Sequence, residues 1–259
     1  MIRATFCTTL LAIALCLPAQ AQNARVVIII DDLGYKYDEG RRAIALPGAV
    51  SFAVLPGTPR ARQLAESAHR AGKDVLLHLP LQAVSHEGPP EPGGIMLDMS
   101  RERLRETFAS ALESVPFVIG VNNHRGSLLT RHPGHMRWLM EEIRAREDLF
   151  FVDSFTTPRS VALQMAREAG ISAVRRDVFL DDDTSPEAIA REFERMKRLA
   201  KQRGTVVAIG HPHRTTLALL ERELPGLKQD GIELVPVSAL FAKPGAVTPT
   251  LNAGVAIGR

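Results

Sequence analysis

The chain has 259 residues, 32 of them basic and 29 acidic, for a formal net charge of +3. So even a balance gives no cationic field for a nucleic-acid backbone, and an aromatic content of 5% leaves little to stack on single strands. Both cysteines, Cys7 and Cys16, lie in the first 21 residues, so the remainder can build no disulfide, no thiolate metal site and no cysteine nucleophile.

The N-terminus reads as a secretory signal. Arg3 supplies the positive start, "LLAIALCL" an apolar core too short to span a bilayer, and "AQA" (19–21) a small-residue cleavage site. The expected mature chain begins near Gln22, is exported to a periplasm or beyond, and has no transmembrane anchor. Losing Arg3 leaves 31 basic against 29 acidic residues, a charge of +2. The remaining 238 residues (259 minus 21) can bury a large core without staples.

From residue 25 short apolar runs alternate with helix-period segments. The expected strands are "RVVIII", "AVSFAVL", "DVLLHL", "FVIGV", "LFFVD", "ISAVRR", "TVVAIG" and "IELVPV". Between them lie amphipathic stretches such as "RARQLAESAHRAG", "RERLRETFASALES" and "SPEAIAREFERMKRLAKQRG". Gly72, Gly170 and Gly204 stand where helices end, and Ser185-Pro186-Glu187 reads as a helix start. Such alternation means an α/β fold with a parallel sheet. The unit count fits a distorted or incomplete (β/α)7–8 barrel over residues 22–242. A doubly wound open sheet ranks second, because no Gly-rich phosphate fingerprint follows the first strand. Residues 83–97, rich in Pro and Gly, form a loop over one rim, and 243–259 read as a disordered tail.

In a parallel barrel the C-terminal ends of the strands meet at one mouth. Five strand ends deliver polar groups there: Asp31-Asp32, His78, Asn122-Asn123-His124, Asp153-Ser154, and His211 with His213. A carboxylate and two imidazoles suit Zn²⁺ with a position left for water, and a second carboxylate can take the water's proton. Each feature also has a plainer reading. An Asp pair after a strand often only caps a turn, His78 sits among leucines, and Pro212 holds His211 and His213 apart. His69, His86, His132 and His135 read as surface or capping residues. "DDDT" (181–184) reads as an acidic lead into the next helix, and Ser127 lacks a G-x-S-x-G elbow.

Taken in order, "IDDLG", "HLP", "GVNNHRGS", "DS" and "GHPH" resemble the divergent polysaccharide deacetylase family, of the NodB-homology group, over roughly residues 25–240. The resemblance implies a metal-dependent hydrolase that removes acetyl groups from an envelope glycan such as peptidoglycan. It implies Asp31 as general base, Asp32 and His78 as ligands of Zn²⁺ or another divalent metal, His211 as general acid with His213 close behind, and Asp153 as the group that orients the acid. Three positions depart from the family pattern. Gln82 stands where a second metal-binding His is expected, and we assign that place to His124. The arginine-proline motif is missing, and the only tryptophan, Trp138, lies in a helix. Those departures keep an alternative open: a non-catalytic barrel that retains the metal pocket and binds a glycan or an envelope protein partner.

Overall fold

The computed structural model describes residues 24–85, 88–146 and 148–242. The signal-like segment, the 243–259 tail and His86 lie outside the described residues. Nine strands form one sheet: β1 (Ala24–Leu33), β2 (Ser51–Val54), β3 (Val75–Leu81), β4 (Val118–Arg125), β5 (Phe150–Asp153), β6 (Ala173–Arg175), β7 (Val178–Phe179), β8 (Thr205–Gly210) and β9 (Ile232–Leu234). Every pairing is parallel, in the order β6-β5-β4-β3-β2-β1-β8-β7, with β9 against the start of β1. The crossovers carry helices α1 (Tyr37–Ile44), α2 (Ala61–Arg70), α3 (Arg101–Ser114), α4 (Pro133–Arg144), α5 (Ala162–Glu168), α6 (Pro186–Arg203) and α7 (Arg214–Glu223).

The two ends of the sheet, β6 and β7, are joined by Arg176 and Asp177 and do not pair with each other. The curl is therefore an incomplete (β/α) barrel with one open seam, as the alternation of strands and helices predicts. Strand β7 is not among the strands expected from the sequence. Two residues are too short to show a period.

The core divides into two sets that follow the two-residue alternation of a strand. Val26, Ile28 and Ile30 of β1 join the large cluster beneath the helices. Val27 and Ile29 instead pack with Ala53, Leu76, Phe150, Val152, Val207 and Ile209 in a second cluster that fills the barrel interior. Space there is tight: a side chain on Gly120 would meet the Phe150 ring at 2.3 Å. Two residues beyond Ile29, Leu76, Val152 and Ile209 lie Asp31, His78, Ser154 and His211, and Asn122 and His124 continue the face of Gly120 in β4. Strand parity thus stacks the polar groups as the top layer of the interior core.

Candidate active site

Asp31, His78 and Asn122 are buried at this top layer, with Asp31 and His78 each 2% exposed. The Asn122 amide links the other two: Nδ2–H donates to Asp31 Oδ1 at 2.8 Å, and Oδ1 stands 2.9 Å from His78 Nδ1. An ionised carboxylate only accepts, so it fixes which way the amide points. The amide oxygen then requires the His78 proton on Nδ1 and leaves a lone pair on Nε2. That nitrogen is 3.1 Å from Asp32 Oδ1 and 3.6 Å from Asp31 Oδ2.

Asp32 escapes the parity rule by a backbone device. Its φ of 59° is left-handed, and the β1–β2 register shifts between Ile30 and Leu33, so the side chain swings over the mouth instead of out to the helices. His124 Nδ1 lies 3.0 Å from Asp32 Oδ1 and 3.1 Å from His78 Nε2. Asp32 Oδ1, although buried, accepts no well-aligned hydrogen bond.

These atoms form a triangle with edges of 3.0 to 3.1 Å. Three ligands at about 2.0–2.1 Å from a tetrahedral ion stand about 3.3 Å apart, so a small expansion accommodates zinc. Burial alone would raise the Asp32 pKa, but His124 and His78 reverse that and hold it far below the usual carboxylate range. Burial likewise opposes charge on His78, yet Asp31 and Asp32 outweigh it and raise its pKa. The site thus asks for positive charge. A proton on one nitrogen meets part of that demand, whereas a cation meets all three atoms at once. Asp32, His78 and His124 are one of two groups among the described residues that could hold a metal ion.

The second group is Asp181, His211 and His213. Here the carboxylate is already committed. Asp181 Oδ2 accepts from the His211 backbone N–H and the Thr216 hydroxyl, both at 2.7 Å, and its Oδ1 lies 2.9 Å from His211 Nδ1. Burial disfavours the imidazolium, but Asp181, helped by Asp31 and Asp32, pushes the His211 pKa up to about 9. Its Nε2 faces Asp32 Oδ2 at 3.9 Å. His213 is exposed and begins α7, with its ring 5.6 Å from that of His211. For Asp31 the direction is also upward: burial raises its pKa more than His78 and His211 lower it.

The structure corrects the expectation for Asp153. It follows Phe151 in parity, on the helix-facing side of β5, and its carboxylate accepts from Phe155 N (2.9 Å) and Ser160 Oγ (3.0 Å). The partner of His211 is Asp181, which follows Phe179 at the end of β7. Applying the strand-end rule to "VFLD" would have found it. The acidic-lead reading survives for Asp183, whose Oδ1 accepts from Ser185 N at 2.9 Å.

Gln82 does not face the metal group. Its Oε1 accepts from Leu97 N at 2.8 Å, and its backbone N–H donates to Ile95 O at 3.0 Å, so it stitches the 88–97 segment to β3. Trp138 packs against the outer core with its ring over His135. Phe155, like Phe179, sets an aromatic ring beside the mouth. It lines a cleft of about 420 Å³ together with Asp31, His78, His124 and His211, and with the two arginines Arg125 and Arg176. Arg125 (φ 52°) and Phe155 (φ 50°) share the left-handed conformation of Asp32, which puts at this mouth three of the four such non-glycine residues among the described residues.

A family model described as divergent polysaccharide deacetylase matches residues 28–241. The chain belongs to that family. The uncharacterized protein YibQ of Escherichia coli K12 is 36% identical over 239 residues, 92% of this chain and 74% of that protein. An uncharacterized protein of Agrobacterium tumefaciens C58, ATU2773, superimposes with a TM-score of 0.81 at 23% identity over 86% of this chain and 91% of its own. Two more distant structures share the fold. The catalytic domain of a peptidoglycan N-acetylglucosamine deacetylase from Eubacterium rectale has a TM-score of 0.52 at 15% identity, over 83% of this chain and 89% of that one. BA3943 of Bacillus anthracis, a CE4 family pseudoenzyme, has a TM-score of 0.50 at 12% identity, over 85% of this chain and 66% of that one. One architecture carries both an enzyme and a pseudoenzyme, so activity has to be argued from the site.

Proposed function

We propose that this member of the deacetylase family is a zinc-dependent hydrolase that removes acetyl groups from an envelope glycan, with peptidoglycan the leading substrate class. One observation carries the reading. Three convergent ligand atoms, Asp32 Oδ1, His78 Nε2 and His124 Nδ1, are flanked by an uncommitted Asp31 oxygen at 3.6 Å and by His211 Nε2 at 3.9 Å. A divalent cation held there supplies Lewis-acid polarisation and brings the pKa of water toward about 7.

The rest of the chemistry belongs to the chain's own groups. Asp31 Oδ1 is tied to Asn122, which leaves Oδ2 to take the proton of the attacking water. Its raised pKa brings the carboxylate nearer the working pH, where a general base is most effective. Water oxygen bonds to the acetyl carbon, the C–N or C–O bond to the sugar breaks, and His211 Nε2–H protonates the departing amine or alkoxide. Asp181 keeps His211 charged for that donation and holds its ring through Nδ1. The sugar occupies the cleft beside Phe155, whose ring offers a stacking face. The signal-like N-terminus supports export to the periplasm, and among the described residues no helix is long and apolar enough to cross a membrane.

The alternative of a glycan-binding barrel without turnover draws on Gln82, which stands where the family motif has its second metal-binding histidine. One experiment addresses both readings. The full chain, purified without a metal-binding tag, is analysed for bound metal beside His78→Ala and His124→Ala, and acetate release is followed on N-acetylated oligosaccharides. Near-stoichiometric zinc lost in both variants, with zinc-dependent acetate release, is the expected result. No metal after zinc is supplied and the excess removed overturns the hydrolase. Zinc and glycan binding without acetate release selects the binding barrel.

A further inference from the structure

We infer that Glu91, on the segment that crosses the rim, is a positioning residue of the metal centre and acts through His124. Its Oε2 lies 3.4 Å from His124 Nε2. A carboxylate there takes the Nε2–H, which leaves the lone pair on Nδ1, the atom that faces Asp32 and His78. His78 obtains the same service from the buried amide of Asn122. His124 sits at the rim with 14% of its side chain exposed, and no amide backs it. The inference rests on the metal reading proposed above.

The segment holding Glu91 is built to stay in place. Ile95 N–H donates to Pro80 O at 2.9 Å and Gln82 N–H to Ile95 O at 3.0 Å, so the segment returns alongside β3 as a single parallel bridge between Leu81 and Ile95. The Gln82 side chain adds its bond to Leu97 N. Gly94 N–H donates to Glu91 O at 2.8 Å, and a side chain on Gly94 would meet that same oxygen at 2.8 Å. Nearby, Gly57 leaves room for Pro92, where a side chain would come within 2.8 Å of its ring. The other carboxylate oxygen of Glu91 is held by Arg125 Nε at 3.2 Å. Arg125 is itself fixed: its carbonyl accepts from Asn123 Nδ2 (2.8 Å) and Thr156 Oγ1 (2.7 Å). Gln82 and Glu91 therefore belong to one arrangement. The residue that replaces the expected histidine pins the segment whose carboxylate aims the substitute.

The measurement is zinc affinity of the full chain, by competition with a chromophoric chelator, together with the absorption of the cobalt-loaded protein. Outer-shell partners of metal-bound histidines are worth roughly 10–100-fold in affinity, so Glu91→Ala is expected to weaken zinc by that range and shift the cobalt bands. Glu91→Gln keeps an acceptor for Nε2–H without the charge and is expected to recover part of the loss. His124→Ala keeps only a residual zinc affinity, and adding Glu91→Ala is expected to leave that residual value unchanged, because the residue acts through that ring. Affinity within about twofold of the parent in Glu91→Ala, or an equal further loss without His124, overturns the inference and leaves the metal reading standing. A parent chain that takes up no zinc overturns both.

Discussion

The two halves of the mouth use the same residue for opposite ends. On the β1–β3–β4 side, His78 has an amide oxygen against Nδ1, and its Nε2 lone pair turns inward among other ligand atoms. On the β7–β8 side, His211 has a buried carboxylate against Nδ1 and is held as the cation. On our reading the neutral amide suits a ligand whose lone pair faces inward, and the buried carboxylate, with no ion in front of Nε2, suits an acid. What lies behind the ring therefore decides its role, and substitutions behind the rings test that division most directly.

The largest effect is expected from Asp31→Asn, which removes the proposed base while the three ligand atoms remain. Acetate release should fall roughly 10²–10⁴-fold with zinc content unchanged, as read by turnover and elemental analysis of the same sample. Undiminished turnover would remove Asp31 from the mechanism. Next comes Asp181→Asn, which gives His211 a neutral backing like that of His78. Because the parent pKa is raised to about 9, turnover should decline only as the pH rises through that value, and the variant's decline should move down by about 1–2 units.

The same pair affects stability with a definite sign. A raised imidazole pKa contributes fully below the unfolded value of about 6.5 and is lost as pH climbs to about 9, at most about 3 kcal/mol. Denaturant unfolding of the parent should therefore weaken over that interval, and unfolding of Asp181→Asn should be flatter. The smallest effect is expected from Gln82→His. Restoring the histidine of the family pattern should not tighten zinc, because position 82 faces Leu97 N, and it should cost about 1 kcal/mol of stability by losing that hydrogen bond. A gain in affinity would mean that the segment can let go of β3.

Much of this was legible in the sequence because parity and strand ends are local properties. "VVIIIDD" declares a strand buried on both faces that runs into carboxylates, and the same rule brings in His78, His124 and His211. Asp153 shows where the rule needs its second half, since a strand-end residue serves the mouth only if its parity faces inward. Asp181 is hard to read because its strand has two residues, and because the neighbouring Asp182 and Asp183 make a helix lead the simpler pattern. The task of Gln82 depends on a contact with Leu97, 15 residues away along the chain, that no periodicity announces.

The three left-handed residues at the mouth have a consequence for how the molecule can change. Each costs on the order of 1 kcal/mol or more relative to a glycine in the same backbone. Selection for robustness alone would relax Asp32, Arg125 and Phe155 first, and those relaxations would blunt the mouth while leaving the scaffold firmer. A lineage drifting away from chemistry should thus record its drift at these positions before the barrel itself shows any sign of it.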